Sequence, residues 1–171
     1  MHDFAARIRD IPDFPKPGIV FKDLTPIMRD ARLLRAAAEE LARPFITDRV
    51  TVVLGMEARG FIFGSLVAAE LDAGFVPLRK PGKLPYLTHQ VSYDLEYGSA
   101  ALEMHQDAVG PGDRVLLVDD LIATGGTAAA SLALAARNGA SVVGAAFVVE
   151  LDFLDGRRAL GDCRVHSLVR C

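Results

Sequence analysis

Cysteine is scarce in this chain: Cys163 and Cys171 are the only two among 171 residues. Both lie near the C-terminus without CxxC spacing, which excludes a disulfide framework and a zinc centre and suits a reducing compartment. The histidines His2, His89, His105 and His166 show no metal-ligand spacing either, and a short helix is expected around His105. An excess of one charge is missing as well. The formal net charge of -3 gives no global electrostatic case for nucleic acid or for a membrane surface. Long hydrophobic runs are also absent, since the longest, Val142 to Val149, is far too short to span a bilayer. Met1 to Asp10 carries charges at every few positions and no apolar stretch, so it does not read as a signal peptide. A cytoplasmic protein is expected, with no nucleic acid or membrane among its partners.

What is present is apolar. Hydrophobic residues make up 51% of the chain, far from the composition of a disordered one. The length fits one domain, residues 1–171, able to bury a real core. Ile11 to Pro26 holds four prolines and reads as an ordered, stiff loop, because proline blocks helix and biases its neighbours to extended geometry. From Ala31 the apolar residues Leu34, Ala37, Ala38 and Leu41 recur at helical spacing, with Arg35, Glu39, Glu40 and Arg43 on the other side. Strands are expected at Val50–Leu54, Gly74–Leu78, Arg114–Val118 and Ser141–Val149, and helices at Gly60–Leu71 and Thr127–Arg137. Pro81–Gly98 gives mixed signals. The strand runs are apolar on both faces, as in a mostly parallel central sheet flanked by helices, so an α/β class follows. Ligands of such sheets bind outside the carboxyl ends of the strands.

The most informative stretch is Arg114 to Ala130, RVLLVDDLIATGGTAAA. An apolar strand delivers Asp119 and Asp120, and Thr124-Gly125-Gly126-Thr127 leads into a helix. Glycines let the backbone approach an anion, the helix start offers unpaired N–H groups, and threonine hydroxyls add donors. Carboxylates do not favour a phosphate at contact range, so the aspartates must face another part of the ligand. Adjacent sugar hydroxyls, which donate hydrogen bonds, are natural partners. A phosphorylated ribose meets both requirements. A bare tight turn is the simpler reading of the glycine pair. An Asp-Asp strand end also opens receiver domains, but those place it near their N-terminus, and here only about fifty residues follow. GxxxxGK[ST] and GxGxxG are absent, which removes the P-loop and dinucleotide readings.

VLLVDDLIATGGT resembles the phosphoribosyl pyrophosphate motif of the type I phosphoribosyltransferases. The segments IPDFPKPGIVFKDLTP, GMEARGFIFG, PLRKPGKLP, YDLEYG and LEMHQDAV resemble, in the same order, segments of the adenine phosphoribosyltransferase family. The resemblance runs from about Ile8 to Ser167. It implies the type I phosphoribosyltransferase fold, with a small N-terminal hood over about residues 1–30 and a mobile loop over Pro81 to Glu96. The implied reaction moves 5-phosphoribose from phosphoribosyl pyrophosphate to N9 of adenine, giving AMP and pyrophosphate with Mg²⁺ as cofactor, in a homodimer of purine salvage.

By the same resemblance, Ala123, Thr124, Gly125, Gly126 and Thr127 hold the 5-phosphate, while Asp119 and Asp120 face the ribose hydroxyls. Glu57, Ala58, Arg59 and Gly60 form a pyrophosphate loop with a non-proline cis peptide at Glu57–Ala58. Arg79, Lys80 and Lys83 add positive charge on the leaving group. Val20 and Lys22 read the adenine edge through their backbone, and Phe21 and Leu121 pack its faces. Glu96 handles a proton at the purine, with Tyr97 beside it as a substrate contact. Mg²⁺ is held by the substrate's phosphates and ribose hydroxyls, so no protein metal ligand is expected. Tyr86, Leu87 and His89 depart from the family's loop pattern. Two alternatives stay open: an enzyme of this fold for another purine, and a non-catalytic phosphoribosyl pyrophosphate sensor.

Overall fold

The computed structural model describes residues 2–94 and 99–171. In chain order its elements are β1 (Arg9–Pro12), β2 (Val20–Asp23), α1 (Thr25–Arg29), α2 (Ala31–Ala42), β3 (Val52–Met56), α3 (Arg59–Glu70), β4 (Gly74–Leu78), β5 (Thr88–Asp94), β6 (Ser99–His105), β7 (Arg114–Ile122), α4 (Gly126–Arg137), β8 (Ser141–Glu150) and β9 (Val165–Arg170). Five strands pair in the order β4-β3-β7-β8-β9, every pair parallel.

Strand side chains alternate between faces, so each central strand feeds two layers. Val53, Leu116, Val118, Ala146 and Val148 pack with Leu41 of α2 and Phe63 of α3 in one buried cluster. Leu54, Val115, Leu117, Ala145 and Phe147 go to the other, with Leu134 of α4 and with Leu102 and Met104 of β6. Both faces are therefore apolar, as the sequence pattern requires of buried parallel strands. The chain leaves β3 into α3 on the first face and leaves β7 into α4 on the second. Adjacent strands that turn to opposite faces leave a crevice between their carboxyl ends.

Helix α2 starts where Asp30 caps it, its carboxylate accepting from the peptide N–H groups of Arg32 (2.9 Å) and Leu33 (3.3 Å). Its buried stripe holds Leu33, Ala36, Ala37, Ala38, Leu41 and Ala42, so Leu33 rather than Leu34 points fully inward. The stiff loop expected over Ile11 to Pro26 contains more order than proline content suggested. β1 and β2 form an antiparallel hairpin that starts before it, at Arg9, and Pro26 sits in the first turn of α1, where its missing N–H costs nothing. Strand β7 runs beyond Val118 to Ile122, which puts Asp119 and Asp120 inside the strand. β5 and β6 pair antiparallel as a second two-stranded sheet. His105 ends β6, so the short helix expected around it is not there; cross-strand pairing with Thr88 wins over local helix propensity. Glu96 and Tyr97 lie outside the described residues.

Phe45 follows α2 in a short 3₁₀ turn and is fully buried. A Cβ on Gly144 of β8 would meet its ring at 2.4 Å, and the Arg164 guanidinium lies 4.3 Å from its centroid. Phe45→Ala is expected to cost about 3–5 kcal/mol, because the surrounding strand and helix are too well held to fill the cavity. Urea unfolding would measure it, and a loss well below 1 kcal/mol would contradict this account of the packing.

Candidate active site

The carboxyl end of β7 opens into a cavity of about 560 Å³. Met56 lines it from the end of β3 and Glu57 from just past it, Lys80 and Pro81 from the segment after β4, and Tyr93 from β5. Of the residues singled out from the sequence, Glu57, Arg59, Lys80, Asp119, Asp120, Leu121, Ala123, Thr124, Gly125 and Thr127 all line it. Parallel pairing of β3 with β7 brings the two key segments together, since Gly55 pairs with Val118 just before both carboxylates.

The two aspartates occupy different surroundings because strand neighbours point opposite ways. Asp120 is buried, with Arg59 Nε 2.7 Å from its Oδ2. That contact is an ion pair by distance, but the N–H does not point at the oxygen, and Oδ2 has no hydrogen-bond donor among the described residues. Asp119 faces the cavity, its Oδ1 accepting from the Asp120 peptide N–H at 2.8 Å. Burial, then the Asp120 charge and a hydrogen bond shared with it, push the Asp119 carboxyl well above the usual carboxylate range. Behind it, a Cβ on Gly60 would come within 2.5 Å of Asp119 Oδ1, so only glycine lets α3 approach so closely.

The Glu57–Ala58 peptide is cis. Glu57 faces inward and is held by its neighbours: Arg79 donates to Oε2 at 3.0 Å and the Lys80 peptide N–H to Oε1 at 2.7 Å. Burial would raise its carboxyl, but these donors and positive charges outweigh it and hold the group below its usual range. Arg79 is therefore turned onto Glu57 and onto the Lys83 carbonyl (3.0 Å), and the Lys83 side chain is exposed. Neither Arg79 nor Lys83 lines the cavity, whereas Lys80 does.

The phosphate-type loop is Ala123 to Thr127. Gly125 sits at φ +81° as the residue before α4, a backbone setting that glycine tolerates without penalty. The Thr127 hydroxyl donates to the Tyr93 phenol at 3.2 Å, which ties β5 to the start of α4. Tyr93 was not singled out in the sequence, because a tyrosine in a strand signals only a half-buried surface.

Val20 and Lys22 line a second, more apolar recess of about 790 Å³, shared at one wall with Ala123 and Thr124. Leu151, Phe153 and Leu154 complete that wall, and nothing in their local pattern marked them in advance. Which backbone groups of β2 face outward follows from its partner. Pro12 opposes Val20 and lacks an N–H, so that pair is not the hydrogen-bonded type. Alternation along an antiparallel ladder makes Ile11–Phe21 the bonded pair and turns the C=O and N–H groups of Val20 and Lys22 to the open side. Phe21 itself carries the Arg59 guanidinium 5.0 Å from its ring centroid, so Arg59 bridges Phe21 and Asp120. Among the described residues, no cluster of three or more His, Cys, Asp or Glu is disposed to hold a metal ion. Asp119 and Asp120 line the cavity with hard oxygen donors, the chemistry suited to a cation that arrives on an oxygen-rich ligand.

The phosphoribosyl transferase domain matches residues 21–161 of this chain. An adenine phosphoribosyltransferase of Methylococcus capsulatus is 62% identical over 169 residues, covering 99% of this chain and 99% of that protein. The crystal structure of an adenine phosphoribosyltransferase from Rhodothermus marinus is 53% identical with a TM-score of 0.94, covering 98% of this chain and 96% of that one. The Saccharomyces cerevisiae adenine phosphoribosyltransferase, complexed with adenine and an imino-altritol 1,6-bisphosphate, is 39% identical with a TM-score of 0.91 over 97% and 96%.

The raised Asp119 carboxyl has a consequence for stability. The folded chain keeps this proton to higher pH than the unfolded chain does, so stability is fully present in acid and is lost as pH rises through the folded value. Asn keeps an oxygen for the Asp120 N–H and removes the charge. Asp119→Asn is therefore expected to raise the thermal midpoint at neutral pH, with the gain vanishing below the ordinary carboxylate range. Calorimetry at neutral and acid pH checks both halves, and a lowered midpoint at pH 7 would contradict the assignment.

Proposed function

We propose a reaction for a chain whose kinship is plain: it belongs to the phosphoribosyl transferase family, among the adenine phosphoribosyltransferases. It transfers 5-phosphoribose from phosphoribosyl pyrophosphate to N9 of adenine, giving AMP and pyrophosphate, a purine-salvage reaction. The observation that carries the residue-level reading is the single cavity in which Asp119, Asp120, the 123–127 loop, Glu57, Arg59 and Lys80 converge.

In this reading the loop residues Ala123, Thr124, Gly125, Gly126 and Thr127 hold the 5-phosphate, with the α4 N-terminus behind them. Tyr93 joins them, because its phenol accepts from Thr127 and keeps its own proton for a phosphate oxygen. Asp119 and Asp120 meet the ribose hydroxyls. Departure of pyrophosphate leaves positive charge on the sugar, and carboxylates beside it stabilise that charge more in the transition state than in the ground state. Lys80 and the 57–60 loop, with Ala58 and Gly60 offering backbone, take the leaving group, and Arg79 fixes Glu57. Lys83 contributes positive charge at the rim. The protein's residues suit a Mg²⁺ ion carried by the substrate's phosphates and hydroxyls, which when bound neutralises charge on the leaving pyrophosphate.

The base lies along the open edge of β2. The outward C=O of Val20 and N–H of Lys22 match adenine's N6 donor and N1 acceptor, and Phe21 and Leu121 pack its faces. Glu96 and Tyr97, outside the described residues, are assigned to proton handling and contact at the purine. The enzyme works as one domain over residues 1–171 with its hood over about residues 1–30, in the cytoplasm, as a homodimer. The segment Pro81 to Glu96, whose last two residues lie outside the described ones, closes over the phosphates in this reading.

Three measurements test this. With adenine, hypoxanthine, guanine or orotate offered separately, pyrophosphate release should favour adenine in kcat/KM by roughly 10⁴-fold, because a 6-oxopurine sets acceptor against acceptor and donor against donor. Comparable rates with a 6-oxopurine would overturn the base assignment, and binding without release from any base would mark a sensor. Asp119→Asn and Asp120→Asn should each lower kcat by roughly ten- to a thousandfold, about 1.4–4 kcal/mol. Tyr93→Phe should raise KM for phosphoribosyl pyrophosphate about fivefold, the worth of one hydrogen bond of about 1 kcal/mol, and leave KM for adenine unchanged.

A further inference from the structure

We propose that the ion pair of buried Glu150 with half-buried Arg157 is a positioning element for the 5-phosphate loop, acting through Gly156; the proposal rests on the assignment of residues 123–127 to that phosphate. Neither charged residue lines the cavity, so neither touches substrate. Their influence comes from how closely two backbone segments are set together.

A Cβ on Gly125 would lie 2.2 Å from the Gly156 carbonyl oxygen and 2.9 Å from the Ala159 Cβ. Reciprocally, a Cβ on Gly156 would lie 2.2 Å from the Ala123 carbonyl oxygen and 2.9 Å from Ile122. The loop and the turn at 156–160 therefore interlock, glycine against glycine. Neither can shift without moving the other. The turn's own backbone bonds are local, Arg158 N–H to Asp155 and Gly161 N–H to Arg158. Its side-chain anchor to the sheet is Arg157, which donates to Glu150 Oε1 at 2.5 Å and Oε2 at 2.6 Å, and to the Val165 carbonyl at 3.1 Å.

Glu150 is itself fixed. It is 3% exposed and ends β8, paired in register with Ile122 of β7 and Arg170 of β9. The Ser167 hydroxyl donates to its Oε2 at 2.7 Å, and Arg170 lies 3.7 Å from the same oxygen. The Leu151 N–H donates to the Ile122 carbonyl at 3.0 Å, one residue before the loop begins. The Arg157 hydrogen bonds hold the Glu150 carboxyl below its usual range against the effect of burial, so the pair stays charged at neutral pH. A planar fork on a buried carboxylate fixes direction as well as distance, which a lysine does not reproduce. The pair thus references the phosphate loop to the ends of three strands.

The test compares the native chain with Arg157→Lys and Glu150→Gln, both close in size to the residues replaced. Steady-state kinetics would be read for each substrate, and calorimetry would measure binding of ribose 5-phosphate, which needs no turnover. Arg157→Lys is expected to raise KM for phosphoribosyl pyrophosphate and the Kd of ribose 5-phosphate about five- to twentyfold. KM for adenine should move less than twofold. Gly156→Ala, which disturbs the interlock and leaves the ion pair in place, should reproduce the same split. Lowered thermal stability with unchanged ribose 5-phosphate affinity would overturn the proposal, as would equal weakening for adenine and ribose 5-phosphate. Should the native chain transfer to no base, the assigned reaction fails while the ribose 5-phosphate comparison still decides the positioning role.

Discussion

Two neighbouring parallel strands, β3 and β7, send the chain to opposite faces of one sheet, and everything at the site follows from that divergence. The peptide groups at their carboxyl ends have no helix directly above them, so the crevice stays open. Into it project Glu57 and Arg59, just past the end of β3, and Asp119 and Asp120, near the end of β7. Because β7 runs on to Ile122, the two aspartates are held by ladder hydrogen bonds rather than by a loop. Rigid placement of that kind is what the proposed role of the two aspartates beside a developing positive charge requires.

The same placement costs stability. An acid surrounded by protein and beside a second carboxylate is disfavoured when charged, and only part of that is offset by Arg59 and by the Asp120 N–H. Arg59 is drawn two ways, to the Asp120 carboxylate and over the face of Phe21. Glu57, by contrast, has both carboxylate oxygens engaged by Arg79 and the Lys80 N–H. Three acids within one cavity thus do three different things because their neighbours differ.

Much of this was legible in the sequence, and the reasons are local. Asp119, Asp120 and the 123–127 loop stand in one continuous segment whose glycines and strand pattern signal their geometry. Gly74–Leu78 and the helix ending at Arg137 read correctly because their boundaries carry turn residues. What escaped was non-local. The hairpin β1–β2 hid behind its prolines, β9 has a mixed burial pattern with no clean alternation, and His105 was read from its neighbours when a cross-strand partner decides its state. Leu151, Leu154 and Gly156 reach the site only through tertiary packing. The Glu150–Arg157 pair looks in sequence like two unremarkable charges seven residues apart.

Pro12 illustrates how far from a ligand selectivity can be written. It touches neither cavity, yet its lack of an N–H fixes which pairs of the β1–β2 ladder are bonded and hence which edge of β2 is free. A proline there can accept from β2 but cannot donate to it, which is compatible with an open outer edge at Val20 and Lys22. The open edge of β2 is thus matched by an imino acid on the neighbouring strand, so the backbone of one strand and the ring on another act as a pair.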